Sequence, residues 1–391
     1  MMTAFKSPPI SFAIMLMMPF IQIGYSFYFS IAFILFSFCF IKSIRFYKKD
    51  IYTLMFLSCL CFFYKSITVS TETGSQREFL IPLREMLCLF SIISIATRIQ
   101  FEKIDLRLTG RLITYFLFAT LALVIFQNYM LSRGAYWGIP IDYFVTNQET
   151  LIGAEDALFH HARFRATAYY GEPSYTSFIV FSLLTIYFAT QDKLSNKVFV
   201  AILAFAITSV SQSLAGVASV FITLTFWLLF LINYRKAKKY FLFSFFIFIS
   251  VIGIFISDKI YGRIMDAIQG NDDSTIIRIG QPLALLWDVI SGGAFFGVNL
   301  VYIEKYLGYS NIDNATLRLF IYYGILIIVP LLTLILFART GLIILYIILV
   351  MNFNGELFSY DKALIVGLVI GLSKAKLENL QNDPLSPQKH S

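Results

Sequence analysis

Apolar runs long enough to cross a bilayer recur from one end of the chain to the other, parted by short polar or basic segments. The uncharged stretch between Lys6 and Lys42 is too long for one span. Pro19 and Gly24 divide it into helices expected over 10–23 and 25–41. Further helices are expected over 51–70, 80–97, 112–131, 174–190, 198–212, 214–232, 240–257, 317–337, 341–353 and 361–373. Those over 198–212 and 214–232 meet at SVSQSLAG, a small and polar stretch suited to a tight turn. The pattern predicts an all-α, polytopic membrane protein with about 12 transmembrane helices. It reads as a single integral membrane domain over 1–391, with two long loops, 132–173 and 258–316, and a polar tail over 374–391. No tandem repeat is visible.

Composition agrees with this pattern. Charged residues make up 14% of the chain and hydrophobic ones 58%, whereas a soluble domain carries about 25% charged residues. The net charge of +8 reflects topology rather than nucleic acid, because no basic-aromatic patch forms a platform for bases. The densest basic clusters, Lys42 to Lys49 and YRKAKK, fall in short connections, as the positive-inside bias expects of cytoplasmic segments. That orientation sends both long loops to the outer side and the tail to the cytoplasm. The apolar N-terminal run is too long for a cleaved signal peptide and lacks a clear cleavage site. Cys39, Cys59, Cys61 and Cys88 all lie in apolar runs, which reads as core packing rather than a disulfide framework or a zinc site.

Chemistry gathers in the two long loops. HHARFRATAYYGEPSYTSF, from His160 to Phe178, holds His160, His161, Arg163 and Arg165 ahead of a Glu172-Pro173 pair. Arginines two apart in an extended backbone project to one side, and planar guanidinium groups bind phosphate through paired hydrogen bonds. Proline favours the first turn of a helix, so Glu172 is expected beside a helix start. The same residues also fit a solvated basic loop followed by an ordinary helix start. In the second loop, NDDSTIIR offers Asp272, Asp273, Ser274 and Arg278. QPLALLWDVISGGAFFGV then reads as an interfacial helix, with Trp287 at headgroup level. Asn314 and Arg318 stand at the entrance of the helix over 317–337. An arginine there needs a partner or a polar cavity, unless it snorkels to the interface. Lys65, Arg84 and Glu85 interrupt apolar helices near their outer ends. Snorkelling, or a local pair between Arg84 and Glu85, accounts for them. No nucleotide-binding glycine loop and no metal motif is present, so no metal and no cofactor is expected. An outward-facing enzyme would then need an activated donor, such as a lipid pyrophosphate.

Three stretches resemble the Wzy-type polysaccharide repeat-unit polymerases, relatives of the O-antigen ligases: RFRATAYYGEPSYTSF, SVSQSLAGVASVF, and DDSTIIRIGQPLALLWDVISGGAFFGVN followed by NIDNATLRLFIYYGI. The resemblance implies a metal-independent glycosyltransferase of the bacterial inner membrane with its site facing the periplasm. The substrate implied is an undecaprenyl-pyrophosphate-linked oligosaccharide. A chain-length regulator and a flippase are implied as pathway partners. The resemblance also implies periplasmic arginines as key residues, with Arg163 and Arg165 before the Glu-Pro motif and Arg278 in a Ser-x-x-x-Arg pattern. On that footing Arg165, Arg278 and Glu172 are expected as catalytic residues, Glu172 either as proton acceptor or as a brace for an arginine, and Arg163, Arg318, Asn314, His161 and Tyr170 as substrate-binding ones. The ligases often carry His-Asn before the return helix. Asp313-Asn314 stands there in this chain, which favours a polymerase. A ligase and a lipid-linked oligosaccharide flippase remain the alternatives.

Overall fold

The computed structural model describes residues 49–101, 104–133, 165–169, 173–227, 276–309, 312, 314–353 and 357–381. The helices expected over 10–23, 25–41 and 240–257 lie outside these residues, as does most of the loop 132–173. The described residues are helical, with no strand among them. In order they form α1 (Lys49–Thr73), α2 (Gln76–Phe101), α3 (Leu106–Ser132), α4 (Pro173–Thr190), α5 (Leu194–Val210) and α6 (Leu214–Phe226). Then come α7 (Gln281–Ser291), α8 (Leu300–Leu307), α9 (Ala315–Tyr323), α10 (Ile328–Ala338), α11 (Gly341–Phe353) and α12 (Tyr360–Gln381). A π-helical turn, Ile276–Gly280, leads into α7, and a 3-10 turn, Gly324–Ile327, joins α9 to α10.

Among the described residues, five segments are long and apolar enough to cross a membrane: Tyr52–Thr73, Glu78–Thr97, Leu106–Ser132, Pro173–Thr190 and Ala315–Ala338. The chain is thus an all-α protein of membrane type. The sequence expectation differs at TETGSQRE, in the tail after residue 374, and over 317–337, where the 3-10 turn at Gly324–Ile327 breaks the expected single helix. The polar TETGSQRE stretch between the helices expected over 51–70 and 80–97 is itself almost wholly helical: only Gly74 and Ser75 leave the helical path, with Gly74 left-handed and its N–H closing on the Ser70 carbonyl. The helix expected at QPLALLWDVISGG is present as α7, which exposes Trp287 (72%), Leu283 and Ile290, and among the described residues of 258–316 a second short helix, α8, follows it. The tail expected from residue 374 begins as helix, because AKLENLQ is rich in helix formers and extends α12 to Gln381.

The helices group into two compact units. The first holds α3 to α6, with α2 from Ser94 onward and α12 from Leu364 onward. Its apolar helices carry many hydroxyls, most of them folded back onto their own helix. Ser177, Ser182, Thr185 and Thr190 of α4 each donate to the carbonyl four residues earlier. Gly216 of α6 lies against Ser177 and Thr208, and an added Cβ would collide with both side chains, so α4, α5 and α6 pack closely there.

The second unit holds α1, α2 up to Ile93, and α7 to α11. Its centre is a backbone splice. In an unbroken helix the Ile325 N–H would donate to the Ile321 carbonyl. Instead, Ile325 donates to the Phe295 carbonyl and Ile321 accepts from Val298, both at 2.9 Å. The turn after α7 thus occupies the break between α9 and α10. Gly297 (φ 73°) and Gly324 (φ 59°) permit it: a Cβ on Gly297 would fall on the Tyr322 carbonyl, and one on Gly324 on the Phe295 carbonyl.

Alanine at Gly297 or Gly324 should therefore cost about 3 kcal/mol or more, since backbone overlap adds to a left-handed conformation. Gly308 is also left-handed (φ 80°) but has open space around its Cβ direction. Gly308→Ala should cost only about 1 kcal/mol. Thermal melting of the three variants in detergent checks the ranking, and equal shifts would count against the splice.

Candidate functional site

The arginine-bearing stretch and the serine-rich turn meet in the first unit. Residues 165–167 belong to neither helix nor strand and 168–169 form a turn, with Ala168 left-handed at φ 54°. Their partner is Gln127 of α3, which is 2% exposed within an apolar span. Its Oε1 accepts from the N–H groups of Thr167 at 3.0 Å and Ala168 at 2.8 Å, and its Nε2 donates to the Ala168 carbonyl at 2.9 Å. Thr176 of α4 donates its hydroxyl to the Thr167 carbonyl. The Tyr169 ring lies 5.6 Å from Phe116, and burial pushes its phenol above the usual tyrosine range, against a smaller opposing effect from Thr120.

Asn128, the next residue of α3, donates Nδ2 to the Val210 carbonyl at 2.7 Å, at the end of α5. The tight turn expected in SVSQSLAG follows. Gln212 is left-handed at φ 55°, and Ser213 caps α6 by accepting from the Gly216 N–H at 3.3 Å. Half-buried Arg165 donates Nη1 to the Gln212 carbonyl at 3.4 Å. Two of the three non-glycine residues with positive φ among the described residues, Ala168 and Gln212, thus belong to this one site. Sparsely populated backbone of this kind persists only where its surroundings over-determine it. The helix start expected at the Glu-Pro pair is present, because α4 begins at Pro173. Glu172, Arg163, His161 and Tyr170 lie outside the described residues.

The second unit shows what becomes of charge inside apolar helices. Arg318 neither snorkels nor stands alone: it is 7% exposed and ion-paired with Glu85 of α2, itself 0% exposed. The Tyr323 phenol donates to the other Glu85 oxygen at 2.6 Å. Glu85 is therefore a long-range partner, and its contact with Arg84, at 4.0 Å, is peripheral. The expectation of snorkelling also fails for Lys65, which is 4% exposed. Its Nζ donates to the Phe296 carbonyl at 3.0 Å and lies 5.0 Å from the centre of the Tyr322 ring. Glu78 accepts from Leu300 and Val301 at the start of α8. Asn314 caps α9, accepting from the Leu317 N–H at 3.1 Å, and its Nδ2 reaches the Asn352 carbonyl at 3.4 Å. Arg278 lies half-buried in the π-helical turn before α7. Sequence reasoning missed Gln127, Asn128 and the Glu85–Arg318 pairing. Adjacent amides within an apolar span, and opposite charges in two separate spans, were the available signals.

No known protein family, curated protein or solved structure matches this chain.

Breaking the buried pair from one side, by Glu85→Leu or Arg318→Leu, should cost about 3–5 kcal/mol because a charge is left buried alone. The double variant should recover most of that loss. A double-mutant cycle on thermal melting checks this, and additive single effects would mean that the two side chains are independent.

Proposed function

We propose that the chain is a polysaccharide polymerase with about 12 transmembrane helices. In this reading it resides in the bacterial inner membrane and works at the periplasmic face. It moves a glycan from undecaprenyl pyrophosphate onto a lipid-linked repeat unit. The observation that carries the reading is the meeting of two motif stretches. Arg165 of RFRATAYYGEP bonds the Gln212 carbonyl of SVSQSLAG, and consecutive side chains of α3 grip both stretches. Motifs far apart in sequence, each carrying the family resemblance, thus converge at one place. That place adjoins the start of α4, through the bond from Thr176 to the Thr167 carbonyl, and Glu172 follows Arg165 by seven residues in the sequence.

In the reaction, the acceptor hydroxyl attacks the anomeric carbon of the donor sugar. The bond from that carbon to the pyrophosphate oxygen breaks, and the lipid pyrophosphate leaves with the electron pair. Arg165, with Arg163, holds the pyrophosphate and offsets its developing negative charge; Arg278, which belongs to the other unit, is given a phosphate-binding role by the family resemblance alone. Glu172 takes the hydroxyl proton. His161 and Tyr170 contact the sugars. Arg318, neutralised by Glu85, braces α9 rather than serving as a phosphate ligand, and Asn314 secures the start of that helix.

The test uses the purified chain with a defined undecaprenyl-pyrophosphate-linked repeat unit in the presence of EDTA. A ladder of polymer is expected. Arg165→Lys and Arg278→Lys should each reduce turnover by about a hundredfold, as loss of a transition-state donor does. Normal ladders from both would refute the phosphate clamp. Glu172→Gln should abolish polymer, and normal polymer from it would reassign Glu172 as a brace for α4. Long glycan moved onto added lipid A core, with no polymer on the lipid-linked repeat unit, would point to a ligase instead.

A further inference from the structure

We infer that Gln127 and Asn128 are a positioning pair: two neutral amides that set Arg165 against the serine-rich turn. The inference rests on the polymerase reading for what Arg165 does, but the clamp is independent of it. Its basis is geometric. Gln127 uses both ends of its amide on one short segment, accepting two N–H groups and donating to a carbonyl. The backbone at Thr167 and Ala168 therefore has partners without belonging to a helix or a strand. Ala168 is left-handed there, so the segment turns at the residue that Gln127 grips on both sides. Three residues upstream of Ala168 the chain carries Arg165, and its guanidinium reaches the Gln212 carbonyl.

Asn128 controls the other half. Its bond to the Val210 carbonyl fixes the last turn of α5. Gln212 follows two residues later and Ser213 caps α6. Neighbouring side chains on a helix diverge by about 100°. Consecutive amides can thus reach two different segments, as a pair three or four apart, sharing one face, could not. The rest of α3 is apolar along most of its length, and inside such a span an amide without partners is expensive. Both amides have partners, and the partners are the two stretches that carry the family resemblance.

The pair acts through Arg165 and does not itself touch substrate. Loss of the grip should misplace the guanidinium without removing it. A misplacement of about 1 Å can cost on the order of a hundredfold in rate. The experiment has two arms on the full-length protein in detergent. The first is amide hydrogen exchange. Gln127→Leu should speed exchange at Thr167 and Ala168 by about tenfold or more, the protection expected from a partnered buried amide. Gln127→Glu keeps an oxygen that can accept from both N–H groups and should keep that protection. The second arm is polymerisation kinetics on the lipid-linked repeat unit. Gln127→Leu and Asn128→Asp, which lacks the donor for Val210, should lower kcat by about tenfold to a hundredfold with KM nearly unchanged. Gln127→Glu should restore a measurable part of kcat.

Unchanged exchange in Gln127→Leu would overturn the clamp. Lost protection with normal kcat would overturn the positioning role. A wild-type protein that makes no polymer would sink the polymerase reading, while the exchange arm would still decide whether the clamp exists.

Discussion

A bilayer interior offers no water to the peptide group, so each backbone N–H and C=O there needs a protein partner. The second unit is organised around that demand. Pro82 interrupts α2 and supplies no N–H to the Glu78 carbonyl four residues before it, and the Tyr322 phenol approaches that carbonyl at 3.4 Å. The break between α9 and α10 leaves Ile321 and Ile325 without each other, and the turn at Phe295–Val298 serves both. The same turn exposes the Phe296 carbonyl, which Lys65 takes. The start of α8 leaves N–H groups that the Glu78 carboxylate accepts. Each of these irregularities creates a polar need, and each need is met from another helix or turn of the unit. The irregular backbone therefore cross-links the helices instead of weakening them.

The buried charges follow from the same demand. A lone charge in a span is costly, and pairing two of them repays the cost only when the remaining lone pairs and protons are also bonded. Glu85 meets this condition, with Arg318 on one oxygen and Tyr323 on the other. Tyr322, adjacent in sequence, meets the Tyr323 ring edge-on at 4.9 Å and turns its face to Lys65. The cluster occupies the turns of α9 just before the break. Its contribution is one of register. Apolar surfaces of α2 and α9 could slide past each other at little cost, whereas the ion pair permits one alignment.

The periodicity of the chain carried most of the fold. Helices expected over 51–70, 112–131, 174–190 and 341–353 correspond to α1, α3, α4 and α11, because long apolar runs between polar punctuation have few other solutions. The break at Gly324 was not legible. GILIIVP reads as one apolar run, and its interruption depends on a turn that starts some thirty residues earlier in the sequence. The charges were visible in the sequence but not their partners. Glu85 stands beside Arg84, so a local pair looks sufficient until the folded chain brings Arg318 to it. In the site, the arginine stretch and the serine-rich turn were recognisable as motifs. The residues joining them, Gln127 and Asn128, were not, because amides in an apolar run carry no charge to attract notice.

That neutrality explains why amides perform this task. The segment around Thr167 and Ala168 offers two donors and one acceptor to α3. A carboxylate could satisfy the donors but would face the Ala168 carbonyl with no proton to give, and an ammonium would face the donors with no lone pair. Only a side chain with both functions meets all three groups, and glutamine is long enough to span them from a helix. An ionised group would also bring its own field next to Arg165. The second unit shows the consequence, since Glu85 neutralises the arginine it holds. Under the proposed polymerase reading, an arginine whose charge must meet a pyrophosphate is better served by fixing the backbone beneath it than by pairing the arginine itself. The two units thus hold an arginine in two ways: Arg318 is locked by charge, and Arg165 is aimed by neutral hydrogen bonds to its own chain.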